Sequence, residues 1–211
     1  MDDADVRPWL ADTFDVSRET LEKLDRYVEL LLAEAERQNL IASSTLPIVW
    51  DRHIRDSAQL LGFARDLGAQ GSWLDLGSGP GLPGIVIALL NTRPITLVES
   101  RARRAGFLFR AVEELALSGH VTVEARRLER IETRPFDIIT ARAFAPLPKL
   151  FDLAHRFSRR ETLWLLPKGQ TVDDELEAVR PLWQGEFDTV QSLTDPRSSI
   201  ICARKVRPRR R

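Results

Sequence analysis

The chain has 211 residues, 43% of them hydrophobic and 29% charged, and its 31 basic side chains balance 31 acidic ones. This composition is too apolar for a disordered chain and fits one domain with a small addition, while the longest apolar run, residues 85–90, is too short for a membrane span. Because residues 1–16 show no signal-peptide pattern and only one cysteine is present, we expect a cytoplasmic protein without a disulfide, a metal site or a membrane segment.

The zero net charge conceals alternating acidic and basic segments. Residues 1–36 and 169–203 carry net charges of −7 and −5, whereas residues 37–168 and 204–211 each carry +6. The basic middle and the basic tail are candidate contacts for a polyanion. A solvated charged surface is the alternative, and the middle segment fits both interpretations equally.

The first part of the chain is predicted to be helical. Ser17 can cap a helix, and apolar residues recur at helical spacing over residues 21–35. A second helix is predicted from Pro47 to about Ala64. We therefore expect an N-terminal helical extension over residues 1–65, followed by the main domain over residues 66–203.

From residue 72 onwards, short apolar strands alternate with helical segments. This alternation implies βαβ units, so we expect an α/β, Rossmann-like fold with a mostly parallel seven-stranded sheet and helices on both faces. The basic tail over residues 204–211 is expected to be disordered. The predicted strands are 72–76, 95–98, 121–124, 136–140, 162–166, 187–193 and 199–203, and the predicted helices between them are 85–90, 101–117, 144–157 and 173–182.

The most informative stretch joins the first predicted strand to the next helix and reads DLGSGPGLPG over residues 75–84. Glycines at such a turn let the backbone bend sharply and approach a ligand. Read from Gly79, the loop is a G-x-G-x-x-G dinucleotide pattern; read from Asp75, it is the D-x-G-x-G-x-G pattern of S-adenosylmethionine-dependent methyltransferases. We favour the methyl donor because Pro80 and Pro83 remove backbone donors that a pyrophosphate would use. Asp75 would then hold the cationic amino-acid end of that ligand.

Glu99 ends the second predicted strand. An acid at this position can accept both ribose hydroxyls of an adenosine, so it supports nucleoside binding without separating the two ligands. The alternative is a surface acid that faces Arg101 or Arg103.

Several segments besides the glycine loop carry a family resemblance. They are RHIRDS at residues 52–57, ES at 99–100, RLE at 127–129, TARAFA at 140–145 and KG at 168–169. Together they resemble the glucose-inhibited division protein B family, the ribosomal RNA small subunit methyltransferase G enzymes, over about residues 20–170. The resemblance implies a class I methyltransferase fold, S-adenosylmethionine as the cofactor, and methylation of guanine N7 in 16S ribosomal RNA.

The resemblance also implies site residues along the strand ends. We assign Arg142 and Lys168 as the catalytic candidates, for orientation of the target base or for phosphate contact. An ion pair at a strand end is the alternative, and Arg142 could instead stabilise Glu129 or the cofactor carboxylate. Leu128 replaces a smaller family residue, so its contact is expected through the backbone. The candidate cofactor-binding residues are Asp75, Gly77, Gly79, Gly81, Leu82, Glu99, Leu128, Glu129 and Arg142.

Candidate RNA contacts are of two kinds. Phe144 can stack on a base, although a core role fits equally, and His53 lies on a helix that can cover the loop, although a packing role is more common there. The basic candidates for phosphate contact are Arg101, Arg103, Arg104 and Arg127.

The expected chemistry needs alignment more than proton transfer. Guanine N7 offers a lone pair and carries no proton, so the enzyme must only orient it towards the methyl group. The place of an amino-methylating Asn/Asp-Pro-Pro-aromatic motif holds TARAF instead, and Cys202 lies in a predicted strand where an inert thiol is expected. We expect a monomer that acts on 16S ribosomal RNA, the small ribosomal subunit or its precursor. An NAD(P)-binding Rossmann oxidoreductase and a non-catalytic RNA-binding assembly factor remain as alternatives.

Overall fold

The computed structural model describes residues 1–209, which form strands that alternate with helices. The strands are β1 (Trp73–Leu76), β2 (Ile95–Val98), β3 (Val121–Glu124), β4 (Ile138–Ala141), β5 (Leu163–Lys168), β6 (Trp183–Gln191) and β7 (Ser199–Pro208). The α-helices are α1 (Asp3–Phe14), α2 (Arg18–Ala35), α3 (Asp56–Asp66), α4 (Gly84–Leu90), α5 (Ala102–Glu114), α6 (Leu147–Ala154) and α7 (Val172–Val179).

The strands build one sheet in the order β3-β2-β1-β4-β5-β7-β6. Strands β1 to β5 are parallel, and β7 and β6 close one edge in antiparallel pairing. The chain moves outwards from β1 to β3, then crosses back to β4, so β1 and β4 flank the point where the strand order reverses. Ligands of open α/β sheets bind outside the carboxyl ends of the strands at such a point. The predicted mostly parallel, seven-stranded α/β sheet is confirmed.

Helices cover both faces of the sheet. In β5, Leu163 and Leu165 join an apolar cluster with the side chains of α1 to α5, whereas Trp164 and Leu166 join a second cluster beneath α6 and α7. Side chains of a strand alternate between its two faces, so this division is the pattern expected for strands that are buried on both sides.

The N-terminal extension packs on the same face as α4 and α5 and shares their apolar cluster. The predicted cap is present, since the Ser17 side chain accepts a hydrogen bond from the Thr20 N–H at 3.2 Å. The second predicted helix is divided into a 3₁₀ segment (Ser43–Ile48), a π-helical turn (Trp50–Arg55) and α3. Helix α1 was not predicted, because Pro8 and several acidic residues obscure its apolar spacing.

The last strand is longer than predicted. β7 continues to Pro208, so residues 204–208 form a strand where a disordered tail was expected. The partner strand explains the difference, because Trp183 of β6 pairs with Pro208 and the Val206 side chain is buried. Residues 210 and 211 of the predicted tail lie outside the described residues.

Tyr27 joins the helical extension to the glycine loop. Its buried hydroxyl donates a 2.9 Å hydrogen bond to the carbonyl oxygen of Pro80. Burial raises the pKa of the Tyr27 phenol, so the group remains a donor over the whole physiological pH range. The loop position therefore depends partly on α2.

The Tyr27→Phe change tests this connection. We expect it to lower the free energy of unfolding by about 1–3 kcal/mol, because the Pro80 carbonyl loses its side-chain donor in a buried place. Urea denaturation measures the effect. Arg18→Ala, on the exposed face of the same helix, is the control and should change stability by less than about 0.5 kcal/mol. Equal midpoints for Tyr27→Phe and wild type would show that the bond contributes nothing.

Candidate active site

Asp75 fixes the glycine loop through a hydrogen bond to its backbone. Its side chain is buried at the end of β1 and accepts hydrogen bonds from the Gly84 N–H at 3.2 Å and from the Thr140 hydroxyl at 3.1 Å. Burial raises its pKa to about 6, although these hydrogen bonds favour the charged form. The carboxylate is thus directed into the fold, whereas the sequence suggested that it holds the cationic end of a ligand, either directly or through water.

Glu99 fixes the same loop through a second backbone hydrogen bond. Its Oε2 accepts from the Gly79 N–H at 3.1 Å, and its Oε1 accepts from the Arg101 N–H at 2.7 Å. Each carboxylate oxygen has further lone pairs, so Glu99 can still accept two hydroxyl groups. The alternative of a surface acid facing the Arg101 side chain does not hold, because Glu99 is buried and contacts the Arg101 backbone.

The loop contains glycines with positive φ values, and two of them also lie against neighbouring side chains. Gly77 and Gly81 have φ values of +65° and +97°, a region that side chains other than glycine rarely adopt. A Cβ atom on Gly77 would also lie 2.6 Å from the Phe144 ring. The loop backbone therefore passes directly beneath this aromatic side chain.

A cavity of about 370 Å³ opens at the carboxyl ends of β1 and β2, and we call it the β1–β2 cavity. Its lining combines carboxylates, guanidinium groups and apolar surface, which suits a nucleoside that carries an amino-acid end. The predicted cofactor contacts in the lining are Gly77, Glu99, Leu128 and Glu129. The predicted RNA contacts in the same lining are Arg101, Arg104, Arg127 and Phe144.

The remaining predicted cofactor contacts lie elsewhere. Gly79, Gly81 and Leu82 shape the loop without lining the β1–β2 cavity, and Leu82 is buried. Leu128 lies in a 3₁₀ turn (Leu128–Arg130), where its carbonyl oxygen already accepts from the Ile131 N–H. The three loop residues support the cavity from within the fold, whereas Leu128 belongs to its lining.

A second cavity of about 780 Å³, the β4–β5 cavity, opens beside the first. Arg142, Lys168 and His53 line it, together with Phe144. The short segment 143–145 lines both cavities. It therefore forms the partition between them, so two ligands could lie on its two sides.

The helical extension holds the Arg142 side chain. Arg142 Nη1 donates to Asp56 Oδ2 at 3.2 Å, and the guanidinium lies 3.5 Å from His53 Nδ1. The other Asp56 oxygen accepts from Gln59 at 2.9 Å and from Thr194 at 2.7 Å. Asp56 is thereby fixed on both sides, and it fixes the guanidinium at the wall of the β4–β5 cavity.

The hydrogen bonds of His53 define its tautomer. The Thr45 hydroxyl donates to the Ala42 carbonyl at 2.7 Å, so its oxygen accepts from His53 Nε2–H at 2.8 Å. Nδ1 then keeps a lone pair that faces Arg142. Burial, with the nearby charges of Arg142 and Arg52, lowers the pKa of His53 to about 3. His53 is therefore neutral at physiological pH and acts as an acceptor towards the guanidinium.

Lys168 is held in an ion pair. Its Nζ lies 2.6 Å from Glu175 Oε2 and donates to the Ala145 carbonyl at 3.3 Å. The same Glu175 oxygen accepts from the Leu147 N–H at 2.8 Å. Lys168 thus secures the partition and the start of α6, which is the ion-pair alternative that the sequence left open.

Two of the predicted phosphate contacts also have structural partners. Arg103 donates to the Arg37 carbonyl at 3.3 Å, and Arg104 donates to the Asn39 carbonyl at 3.1 Å. These carbonyls follow the end of α2, where helical residues leave acceptors unpaired. The two arginines therefore join α5 to the helical extension, and Arg103 lines neither cavity.

Two contacts that position the site could not be predicted from the sequence. The Asp56–Arg142 ion pair joins residues 86 positions apart, and the Tyr27–Pro80 bond joins residues 53 positions apart. Tyr27 lies on the apolar side of α2, where it is indistinguishable from a core aromatic. Periodicity and local motifs carry no signal for contacts of this kind.

Among residues 1–209, no helix has both the length and the apolarity to cross a membrane. In the same residues, no group of three or more His, Cys, Asp or Glu side chains is placed to hold a metal ion. Cys202 is buried in β7, and burial raises the pKa of its thiol to about 11, which disfavours the nucleophilic thiolate.

Comparison with known proteins shows the family to which this chain belongs. The family model described as GidB, rRNA small subunit methyltransferase G, matches residues 20–200. The chain belongs to this family. A protein from Zymomonas mobilis named ribosomal RNA small subunit methyltransferase G is 54% identical over 208 residues, covering 96% of this chain and 93% of its own. A protein of the same name from Sphingopyxis alaskensis is 50% identical, covering 100% and 90%.

Solved structures confirm the methyltransferase fold. An O-methyltransferase from Bacillus cereus in complex with SAH has a TM-score of 0.60 at 19% identity, covering 94% of this chain and 96% of that chain. A ribosomal protein L11 methylase from Lactobacillus delbrueckii has a TM-score of 0.55 at 15% identity, covering 73% and 78%. The family assignment sets aside the NAD(P)-dependent oxidoreductase that the glycine loop alone allowed.

The buried Asp75 carboxyl predicts a pH-dependent stability. The unfolded group ionises near 3.8 and the folded group near 6, so its contribution favours the folded state below pH 4 and is lost as the pH rises through 6. Asp75→Asn removes this loss. We expect the variant to gain about 2 kcal/mol relative to wild type between pH 4 and pH 7, measured by urea unfolding.

A control of opposite sign is available in the same sheet. Hydrogen bonds from Ser72 and Arg159 outweigh the burial of Asp137 and lower its pKa, so Asp137→Asn should lose stability relative to wild type as the pH rises. A relative stability of Asp75→Asn that falls between pH 4 and pH 7 would contradict the raised pKa of Asp75.

Proposed function

We propose that this protein transfers the methyl group of S-adenosylmethionine to N7 of a guanine in 16S ribosomal RNA. The observation that carries the proposal is the pair of cavities separated only by residues 143–145. A methyl donor on one side and a base on the other would meet at this partition. The names of the relatives indicate small-subunit ribosomal RNA as the substrate class. We place the reaction in the cytoplasm, on the RNA, the small subunit or its precursor, with a monomeric enzyme.

The β1–β2 cavity fits the methyl donor. Glu99 keeps lone pairs for two ribose hydroxyls, and Gly77 has no Cβ to prevent close approach of the ligand. The nucleobase end would contact Leu128 and Glu129. When bound, S-adenosylmethionine supplies an electrophilic methyl group on a sulfonium ion.

The β4–β5 cavity would orient the guanine. Arg142 presents a guanidinium that two acceptors hold in place, and a fixed guanidinium can donate to guanine O6 or to a flanking phosphate. Phe144 borders both cavities and can stack on the base. Because N7 carries no proton, the neutral His53 is not required as a base, and orientation supplies the rate enhancement.

The Glu99→Gln variant tests the donor site. Its amide would place an N–H group against a backbone N–H of the loop, and it weakens acceptance of the ribose hydroxyls. We expect the Kd for S-adenosylmethionine to rise roughly 10- to 100-fold, measured by calorimetry.

Glu114→Gln is the matched control, because Glu114 ends α5 and pairs with Arg26, and neither residue lines the β1–β2 cavity. This variant should bind as wild type does. Tighter binding of NAD than of S-adenosylmethionine by wild type would contradict the proposal.

The Arg142→Ala variant tests the acceptor site. We expect kcat on small-subunit RNA to fall roughly 10- to 100-fold, because a charge-assisted hydrogen bond to the acceptor is lost, while the Kd for S-adenosylmethionine stays within about twofold. Arg52→Ala is the control, since Arg52 lines the same cavity but pairs with Asp195. Mass spectrometry of the nucleosides identifies the methylated atom. Full activity of Arg142→Ala, a product other than 7-methylguanine, or no methylation by wild type would each refute this assignment.

A further inference from the structure

A third cavity lies at the opposite end of the sheet from the site. β7 runs antiparallel to β5, and Ala203 pairs with Trp164 near the start of β5. Residues 204–208 therefore extend beyond the amino-terminal ends of the parallel strands. There they border a cleft of about 710 Å³, which we call the amino-edge cleft.

The amino-edge cleft is basic. Arg159, Arg160, Lys205 and Arg207 line it, with Glu186 as the carboxylate of the lining. Lys205 pairs with Glu186, and Arg159 pairs with a neighbouring aspartate.

Two of these cations are available for a ligand. The Arg160 side chain is 78% exposed, and its nearest carboxylate, Glu161, is 3.8 Å away and 72% exposed. The Arg207 side chain is exposed and forms no ion pair with any other residue between positions 1 and 209. Among residues 1–209, the cleft thus offers one guanidinium group without an ion pair, that of Arg207, and a second, that of Arg160, whose ion pair with Glu161 is long and exposed to solvent and therefore weak.

The backbone at this edge is irregular in a way that shapes the cleft. Lys205 and Val206 of β7 together oppose the single residue Gly185 of β6, and Lys205 has a φ of +54°. Such a bulge redirects side chains that would otherwise alternate between the two faces of a strand. As a result, Lys205, Val206 and Arg207 all line the same cleft.

We propose that the amino-edge cleft is a second docking surface, which binds phosphates of the substrate RNA far from the methylated base. The proposal rests on the proposed function. Ser199 pairs with Lys168 at the β4–β5 cavity, and Arg207 follows eight residues later, which is about 27 Å along a strand. An RNA must extend over this distance to reach both places, so the cleft favours a large RNA over a hairpin that is shorter than the distance.

The test compares a long small-subunit RNA with a short hairpin that contains the target guanine. In Arg160→Ala/Arg207→Ala, we expect the slope of log K against log salt for the long RNA to decrease by about 1 to 2, because each lost phosphate contact removes about 0.7 to 0.9. KM for the long RNA should rise several-fold. The kcat on both RNAs, KM for the hairpin and the Kd for S-adenosylmethionine should stay at the wild-type values.

Two matched variants complete the experiment. Arg160→Lys/Arg207→Lys keeps both charges and should keep the wild-type salt slope. Arg18→Ala/Lys23→Ala removes two cations of α2 that pair within their own helix, and it should leave RNA binding unchanged.

A wild-type salt slope for the double alanine variant on the long RNA would overturn the proposal. So would normal binding of naked RNA together with weakened binding of the assembled particle, because the cleft would then meet a protein. The salt slope is measured without turnover. Failure of wild type to methylate the long RNA, the hairpin and the small subunit would therefore refute the proposed function, whereas the salt slope would still decide the docking surface.

Discussion

The site depends on how two carboxylates satisfy the backbone of the glycine loop. A tight turn with several glycines leaves N–H groups that must find acceptors when they are buried. Asp75 binds the N–H where α4 begins, and Glu99 binds the N–H of Gly79. Burial of the Asp75 charge is unfavourable at neutral pH, but the hydrogen bond that this carboxylate accepts fixes the loop. Only with the loop fixed can Gly77 lie beneath Phe144 and leave a cavity open on one side of that ring.

The helical extension is part of the site as well as part of the fold. α2 contacts the loop through Tyr27. The π-helical turn and the first residue of α3 contact Arg142 at the β4–β5 cavity through His53 and Asp56. Arg142 follows β4, but its direction is set by these partners from the extension. A guanidinium with free rotation would lose entropy when it bound a substrate, whereas one already held by Asp56 has lost most of that freedom. The extension thus prepares the acceptor side before any RNA arrives.

Much of the fold could be predicted, because parallel strands buried on both faces appear as short apolar runs between helical segments. The position of Glu99 was also predictable, because this residue directly follows the end of a predicted strand. Features that depend on contacts between residues distant in the sequence were not predicted. The extent of β7 depends on β6 and on the single buried side chain of Val206, and the direction of Arg142 depends on Asp56. Helix α1 was not predicted for a local reason, because Pro8 interrupts its pattern of apolar residues.

The basic residues show most clearly what a sequence count of charge omits. A run of arginines on a helix suggests that the helix binds a polyanion. However, Arg103 and Arg104 donate hydrogen bonds to carbonyl groups that follow the end of α2. Lys168 is likewise paired with Glu175. A phosphate can bind such a cation only by displacing its partner, which reduces the net gain. The charge that remains for RNA is therefore smaller than the sequence total and differently placed. Cations such as Arg207, without a close carboxylate among residues 1–209, have no such partner to displace, and this difference favours the sheet edge over the face of α5 as a place for phosphate contact.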